Sequence, residues 1–289
     1  MKAKERYAIF MAVLAAALYA LNSPVSKLLL TEVSSVMMAG LLYLGAGIGL
    51  VIVRLVQKQA GIADREEKLK REDAPYTVAM VVLDIAAPIC LMIGLTMTTA
   101  ANASLLNNFE IVATSLIALF IFGEKISKRL WAAIALVTLS SIILTVEDAS
   151  SFRFSAGSLL VLAACVCWGF ENNCTRKISD KDPLQIVVIK GFGSGLGALV
   201  IAFAVGEHLP ALRYILCALL LGFAAYGLSI FFYIHAQRIL GAAKTSTYYA
   251  VAPFIGAALS LLIFREMPAG SFWAALLIMA AGTYLASTD

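Results

Sequence analysis

Ten stretches of about twenty apolar residues run through this chain of 289 residues, separated by charges, Gly/Pro or short polar clusters. One helical crossing of a bilayer's hydrocarbon core needs about that length. The windows read Tyr7–Leu30, Ser34–Val56, Tyr76–Thr98, Ala101–Phe122, Arg129–Val146, Ala156–Ile178, Pro183–Val205, Leu212–Ile239, Ala242–Phe264 and Pro268–Ala286. Lipid offers no partner to unpaired backbone groups, so helices are the default. The expected fold class is an all-α polytopic membrane protein with ten transmembrane helices. With 61% hydrophobic and 14% charged residues, the chain has too little polar side chain to coat a water-soluble globule. That excludes most soluble enzymes, nucleic-acid-binding proteins and disordered chains.

The basic residues orient the windows. With a cytoplasmic N-terminus, seventeen of the 22 Lys and Arg residues fall on the inner side and four (Lys27, Arg153, Arg213 and Arg265) on the outer, with Lys190 left inside a span. Both termini are therefore expected in the cytoplasm and the protein in the cytoplasmic membrane. The first span, preceded by Lys2, Lys4 and Arg6, has the flank of a secretory signal, but more membrane follows it and it reads as retained. The longest soluble connection, Gln57–Ala74, carries the pairs Asp64/Lys68, Glu66/Lys70 and Glu67/Arg71 at i,i+4. It reads either as an extension of the second helix or as a solvated linker.

The two halves of the chain resemble each other. A shift of 142 places Ala103-Ser104 on Thr245-Ser246, Phe122-Gly123-Glu124 on Phe264-Arg265-Glu266, and Trp131-Ala132-Ala133 on Trp273-Ala274-Ala275. A shift near 149 places Tyr19 on Trp168, Ser26 on Thr175 and Lys27 on Arg176, and Gly45-x-Gly47-x-Gly49 matches Gly193-x-Gly195-x-Gly197. Five spans per half is an odd number, so two such halves would lie in opposite orientations, as two inverted five-helix repeats over 1–148 and 149–289. Inverted repeats are a common architecture of secondary transporters.

The ten spans, the five-plus-five repeat and the Gly123-Glu124 and Arg265-Glu266 landmarks resemble the drug/metabolite transporter superfamily, EamA-type branch. The resemblance covers essentially the whole chain. It implies a central cavity formed mainly by the first four spans of each half, with the fifth and tenth as peripheral supports. It also implies substrates among amino acids, other metabolites, drugs and quaternary amines. One departure is a mid-helix proline of the family, supplied by Pro253 in the second half but replaced by Ile111 in the first.

A charged side chain at the bilayer centre costs about 2.5–3.5 kcal/mol on insertion scales, against a gain of about 0.3–0.6 for Leu. Asp84, Glu110, Glu171 and Lys190 sit at that depth. Two readings are open: an ion pair that fixes helix packing, or cavity carboxylates that bind a cationic or zwitterionic group and exchange protons. One carboxylate with one ammonium suits a zwitterion, and three acids to one Lys suits a cation. The polar and aromatic set nearby includes Asn22 in the first span, Trp168 and Asn172 in the sixth, and Tyr226 in the eighth. Trp168 and Tyr226 are deep enough to stack on an ammonium group, whereas Tyr233 and Tyr248 lie nearer the inner boundary and read as anchors. Pro24, Pro88 and Pro253 are candidate hinges.

The five cysteines have no metal-ligand spacing and read as small buried hydrophobes. Cys165-x-Cys167 is a weak candidate for a soft metal, and no metal or cofactor is expected. The intraspan glycines read as close helix contacts rather than a nucleotide loop. Gly241-Ala-Ala-Lys244-Thr245 lacks the spacing of a phosphate loop. These readings lead to a secondary transporter of a small organic solute, an exporter coupled to protons or another ion. It would work in the lipid bilayer as a monomer or weak homodimer, with no nucleic-acid partner. The alternatives are an importer of a quaternary amine such as choline, a membrane-embedded enzyme on lipid-linked substrates, or a passive channel or receptor-like binding protein.

Overall fold

Where water is absent, an apolar window satisfies its own backbone by winding into a helix. The computed structural model describes residues 3–61, 66–123, 125–148, 153–240, 245 and 248–287, and its helices follow the ten windows. The unbroken spans are the second (Ser35–Gln59), third (Ala74–Met97), fifth (Lys128–Thr145), sixth (Ala156–Lys177), seventh (Pro183–Ala204) and tenth (Gly270–Ser287). The first breaks into Ala3–Ala20 and Asn22–Leu29, and the fourth into Ala100–Leu106 and Phe109–Phe122. The eighth runs Leu212–Gly222 and Ser229–Leu240 around a π-helical stretch, Phe223–Leu228. The ninth is described as Ala252–Phe264. Eight of these helices are long and apolar enough to cross a membrane. The other two are the sixth, which carries Glu171, Asn172 and Asn173, and the ninth, 13 residues long.

Helix starts are capped as their sequences dictate. The side chains of Thr99, Ser127, Ser155 and Asp182 accept from the backbone N–H of Asn102, Leu130, Ser158 and Leu184. The second span lacks a cap of its own and borrows one. Glu207, from the seventh-to-eighth turn, accepts from the N–H groups of Val36 at 3.2 Å and Met37 at 2.7 Å, where the helix dipole favours an anion. One small departure from an all-α chain joins the fifth and sixth spans: strands Val146–Asp148 and Arg153–Phe154 pair antiparallel.

The Gln57–Ala74 connection does not extend the second helix, which ends at Gln59. Residues 66–70 are coil, followed by one 3₁₀ turn at Arg71–Asp73. The coil docks on the sixth-to-seventh turn instead. Glu67 O accepts from Asp182 N–H at 2.7 Å, Gln185 Oε1 from Leu69 N–H at 2.9 Å, and the Glu67 carboxylate pairs with Lys181 at 3.1 Å and Lys70 at 2.6 Å. Lys70 and Lys181 together hold that carboxyl below its ordinary range. Arg54 meets Asp182 at 3.2 Å. Tertiary partners thus outweigh the local i,i+4 pairs, and Asp64 of those pairs lies outside the described residues.

The principal helix pairs recur when each span is exchanged for the one five places away. The third packs on the sixth as the first does on the eighth, and the fourth on the sixth as the first does on the ninth. The second–seventh, fourth–ninth and fifth–tenth pairs map onto themselves. The fifth–tenth pair is tied by Ser140 Oγ–H donating to Ala275 O at 2.6 Å. The second–seventh pair meets along glycines: a Cβ on Gly191 would stand 2.5 Å from the Gly47 Cα. Such small-residue seams let membrane helices approach closely.

Local geometry recurs at the same shift. Helices Lys128–Thr145 and Gly270–Ser287 have matching bounds 142 residues apart, and the helices before them end on left-handed residues, Gly123 at φ 70° and Arg265 at φ 52°. Glycine takes that conformation without a Cβ clash, whereas an L side chain loses about 1–2 kcal/mol. Arg265→Gly is therefore expected to raise the thermal midpoint by the equivalent of about 1 kcal/mol, and Gly123→Ala to lower it by a similar amount. Equal midpoints for all three proteins would refute this.

The prolines behave differently from simple interruptions. Pro88 sits inside an unbroken third helix, Pro24 lies just after the Leu21 break, and Pro253 opens the ninth-span helix. The fourth span breaks at Asn107-Asn108 although Ile111 stands where the second half has Pro253.

Candidate functional site

Four residues of the sixth span, spaced three and four apart, share one helix face: Trp168, Glu171, Asn172 and Thr175. That stripe organises the membrane-depth charges. Lys190 Nζ lies 2.9 Å from Glu171 Oε1 and 3.2 Å from Asp84 Oδ2, joining the seventh, sixth and third spans. The three side chains are 13%, 2% and 0% exposed, so the pairing is sealed from solvent and lipid. Tyr43 of the second span donates its hydroxyl to Asp84 Oδ1 at 2.8 Å and accepts from Trp168 Nε1–H at 3.4 Å. Thr175 donates to Glu171. Buried charges are tolerated where each is paired and hydrogen-bonded in this way.

Glu110 stands apart from the triad. It follows the break in the fourth span, is half-buried, and accepts from Asn172 Nδ2–H at 2.6 Å. Asn172 also reaches Thr114 Oγ1 at 3.3 Å. The break itself has a chemical consequence. The Glu110 N–H turns to Asn107 O at 3.1 Å, and the Leu106 carbonyl accepts the Cys165 thiol instead, at 3.5 Å. Two buried side-chain oxygens on the first half of this span, Ser104 Oγ and Asn107 Oδ1, have no hydrogen-bond partner.

A tyrosine cluster completes the site. The Tyr226 ring lies 5.1 Å from Tyr43 and 6.0 Å from Tyr19, and Tyr249 lies 5.9 Å from Tyr19 and 5.0 Å from Tyr233. Asn22, beside the break in the first span, donates to Tyr226 OH at 2.8 Å and accepts from Ser26 at 3.1 Å. Ser229 ties the eighth span to Ala15 O at 2.8 Å.

The structure thus connects Asn22, Asp84, Trp168, Glu171, Lys190 and Tyr226 through Tyr43, and sets the Glu110–Asn172 pair beside them on the sixth span. Sequence reasoning passed over Tyr43, which links Asp84 to Trp168, and used Tyr19 only as a repeat landmark. Either is one aromatic ring among many in apolar windows. Tyr233, read as an inner anchor, adjoins the cluster through Tyr249. Cys165 faces a helix carbonyl, and no group of three metal-ligating residues occurs among the described residues. Glu124 and Gly241–Lys244 lie outside the described residues.

The two ends of the site differ. At one end, Lys27 donates to the carbonyls of Leu95 and of Thr98, the latter at 2.9 Å, which ties the first span to the C-terminus of the third. At the other end, a cleft of about 490 Å³ lies between the fourth and sixth spans. Thr114, Lys125, Asn172 and Arg176 are among its lining, so Asn172 stands between that cleft and Glu110.

The sequence model of the EamA-like transporter family matches residues 6–146 and again residues 155–288. The chain belongs to the EamA-like transporter family. It is a multi-pass membrane transporter, and the break between the two matches falls at the short strand pair between the fifth and sixth spans. This EamA-like transporter is 26% identical over 265 residues to an uncharacterized transporter of Methanothermobacter thermautotrophicus, covering 86% of this chain and 76% of that protein. A solved crystal structure superposes with a TM-score of 0.68 at 16% identity, over 96% of this chain and 95% of the other. At that identity the likeness shows the fold alone.

Proposed function

We propose that this EamA-like transporter moves a small organic solute across the cytoplasmic membrane by alternating access, driven by exchange for protons in the direction of export. The observation that carries this reading is the buried Asp84–Lys190–Glu171 triad with the half-buried Glu110 beside it, between helices broken at Leu21 and Asn107-Asn108. Membrane-depth charge is expensive, and transporters place binding sites at discontinuous helices. The recurrence of the principal helix pairs and the two family matches support two inverted repeats, over 1–148 and 149–289, that interconvert inward- and outward-open shapes. The distribution of basic residues supports both termini in the cytoplasm. One proton moved down 100 mV and one pH unit supplies about 3.7 kcal/mol, enough for roughly a 500-fold solute gradient.

A second reading, uptake of a cation such as choline, draws on the excess of acids at the site. A membrane enzyme would need a catalytic set at one interface, and the two histidines, His208 and His235, lie near opposite ends of the eighth span. Reconstitution into liposomes with an internal pH dye tests the main reading. Amino acids and amines, added in turn, should release protons in the wild type. Glu171→Gln and Glu110→Gln should each abolish the signal. Full proton-dependent flux in both variants overturns the site assignment.

A further inference from the structure

The internal repeat makes Lys27 and Arg176 counterparts, one near the end of the first span and the other near the end of the sixth. Lys27 is half-buried and fastened: its ammonium donates to the carbonyls of Leu95 and Thr98 at the C-terminus of the third span. Arg176 is exposed and lines the cleft between the fourth and sixth spans. The last carbonyls of a helix have no intrahelical donor and carry partial negative charge, so they receive an ammonium or guanidinium well. One of the two counterparts is docked on such a receptor while the other stands at a cleft.

The surroundings of the pair differ in the same sense. The cleft is lined in part by Thr114, Ser115, Ala118, Asn172 and Arg176. Shifts of 142 and 149 carry these onto Gly256, Ala257, Ser260, Ser23 and Lys27. Thr114, Ser115 and Asn172 are half-buried, whereas Ala257, Ser260 and Ser23 are 2%, 2% and 3% exposed. A Cβ on Gly256 would stand 2.9 Å from Ser104 Oγ and 3.1 Å from the Ala20 carbonyl oxygen, so the ninth span is pressed on the fourth and the first. The third and sixth spans close the Lys27 end further. A Cβ on Gly94 would stand 2.8 Å from the Gly157 carbonyl oxygen, and Asn102 Nδ2–H donates to Leu144 O at 3.0 Å and to Ser158 Oγ at 3.1 Å. The helices are thus shut at the Lys27 end and parted at the Arg176 end.

We propose that Lys27 is the latch that holds its end of the transport path shut. When the halves exchange shapes, Lys27 leaves the third span and Arg176 makes the equivalent bond to the C-terminal turn of the eighth, which ends at Leu240. Both positions need a cation that donates hydrogen bonds, and the repeat has a basic residue at each. This rests on the alternating-access reading above and adds which residue holds which end.

Thiol labelling of the full chain in detergent tests the latch, with peptide mass spectrometry resolving each site so that the native cysteines remain. Ser260→Cys reports on the shut end and Ser115→Cys on the cleft. With Lys27 in place, Ser115→Cys should react with N-ethylmaleimide the faster of the two, and equal or reversed rates overturn the closure. Adding Lys27→Met should speed Ser260→Cys about tenfold and slow Ser115→Cys, because opening one end closes the other. Lys27→Gln takes its place if Lys27→Met is not monodisperse. Lys27→Arg, which keeps a donor cation, should leave both rates near those of the Lys27 protein. Arg176→Met should not speed Ser260→Cys, since its latch belongs to the other shape. Unchanged Ser260→Cys labelling on loss of the Lys27 charge overturns the inference, as do rates that rise together at both reporters or an equal acceleration in Arg176→Met. The outcomes separate from those of the transporter reading: reciprocal labelling without solute-driven proton flux would sink transport alone, whereas flux with unmoved labelling would sink the latch alone.

Discussion

Lys190→Met is expected to be among the most destabilising single substitutions in this protein, at about 3–5 kcal/mol. It leaves Asp84 and Glu171, 0% and 2% exposed, facing each other across the space of the lost ammonium. Two buried carboxylates without a countercharge must take up a proton or open the packing of the third, sixth and seventh spans. The thermal midpoint in detergent should fall sharply at neutral pH. The triple variant Asp84→Asn/Glu171→Gln/Lys190→Met should recover most of the loss, because a buried ion cluster replaced whole is often neutral in stability. Transport would not return with it if the triad couples protons. An unchanged midpoint in Lys190→Met alone would show that the pairing is not what holds these helices.

Gly222→Ala should be comparably severe for a steric reason. A Cβ at that position would stand 1.9 Å from the Leu42 carbonyl oxygen, and one at Gly45 would stand 2.1 Å from that of Leu219. Both obstacles are backbone, so no rotamer change relieves them and the eighth span must lift off the second. Overpacking of a well-fitted core costs about 1–3 kcal/mol, and a rigid main-chain clash lies at or above that range. Size-exclusion profiles in mild detergent should show Gly222→Ala and Gly45→Ala depleted in monodisperse protein. Gly270→Ala is the control, since a Cβ there has nothing within 4 Å. A monodisperse, wild-type-like Gly222→Ala would mean that the two helices are farther apart than described.

Much of this architecture was legible in the sequence because the bilayer restricts the options. The ten windows recur as helices within a few residues, and the recognised family matches the chain. The charge cluster was also legible, since Asp84, Glu110, Glu171 and Lys190 interrupt apolar runs where the cost of a charge demands a partner. Other features left no such trace. Lys27 bonds to main-chain carbonyls of Leu95 and Thr98, and a carbonyl acceptor has no residue signature. The fourth span breaks at two asparagines rather than at a proline, and Asn is not a strong enough breaker to be read in advance. The Gln57–Ala74 connection misled because its i,i+4 charges mimic a helix, while its actual partners, Lys181, Asp182 and Gln185, lie more than a hundred residues away. Tyr43 is one buried tyrosine among other apolar residues until its hydroxyl is seen between Asp84 and Trp168.

The glycine seam between the second and seventh spans has a mechanical consequence. This pair maps onto itself when the halves are exchanged, so the alternating access proposed above would leave the same two backbones in contact in both states. At Gly47 and Gly191 the two backbones meet directly, with the Phe192 ring packed beside Gly47, so a tilt there pivots on main chain. The seam can then act as a fulcrum, with the work of each half-cycle done at the third–sixth and first–eighth pairs on either side. Bulk added at Gly47 or Gly191 would act as a brake on turnover, beyond any effect on whether the protein folds.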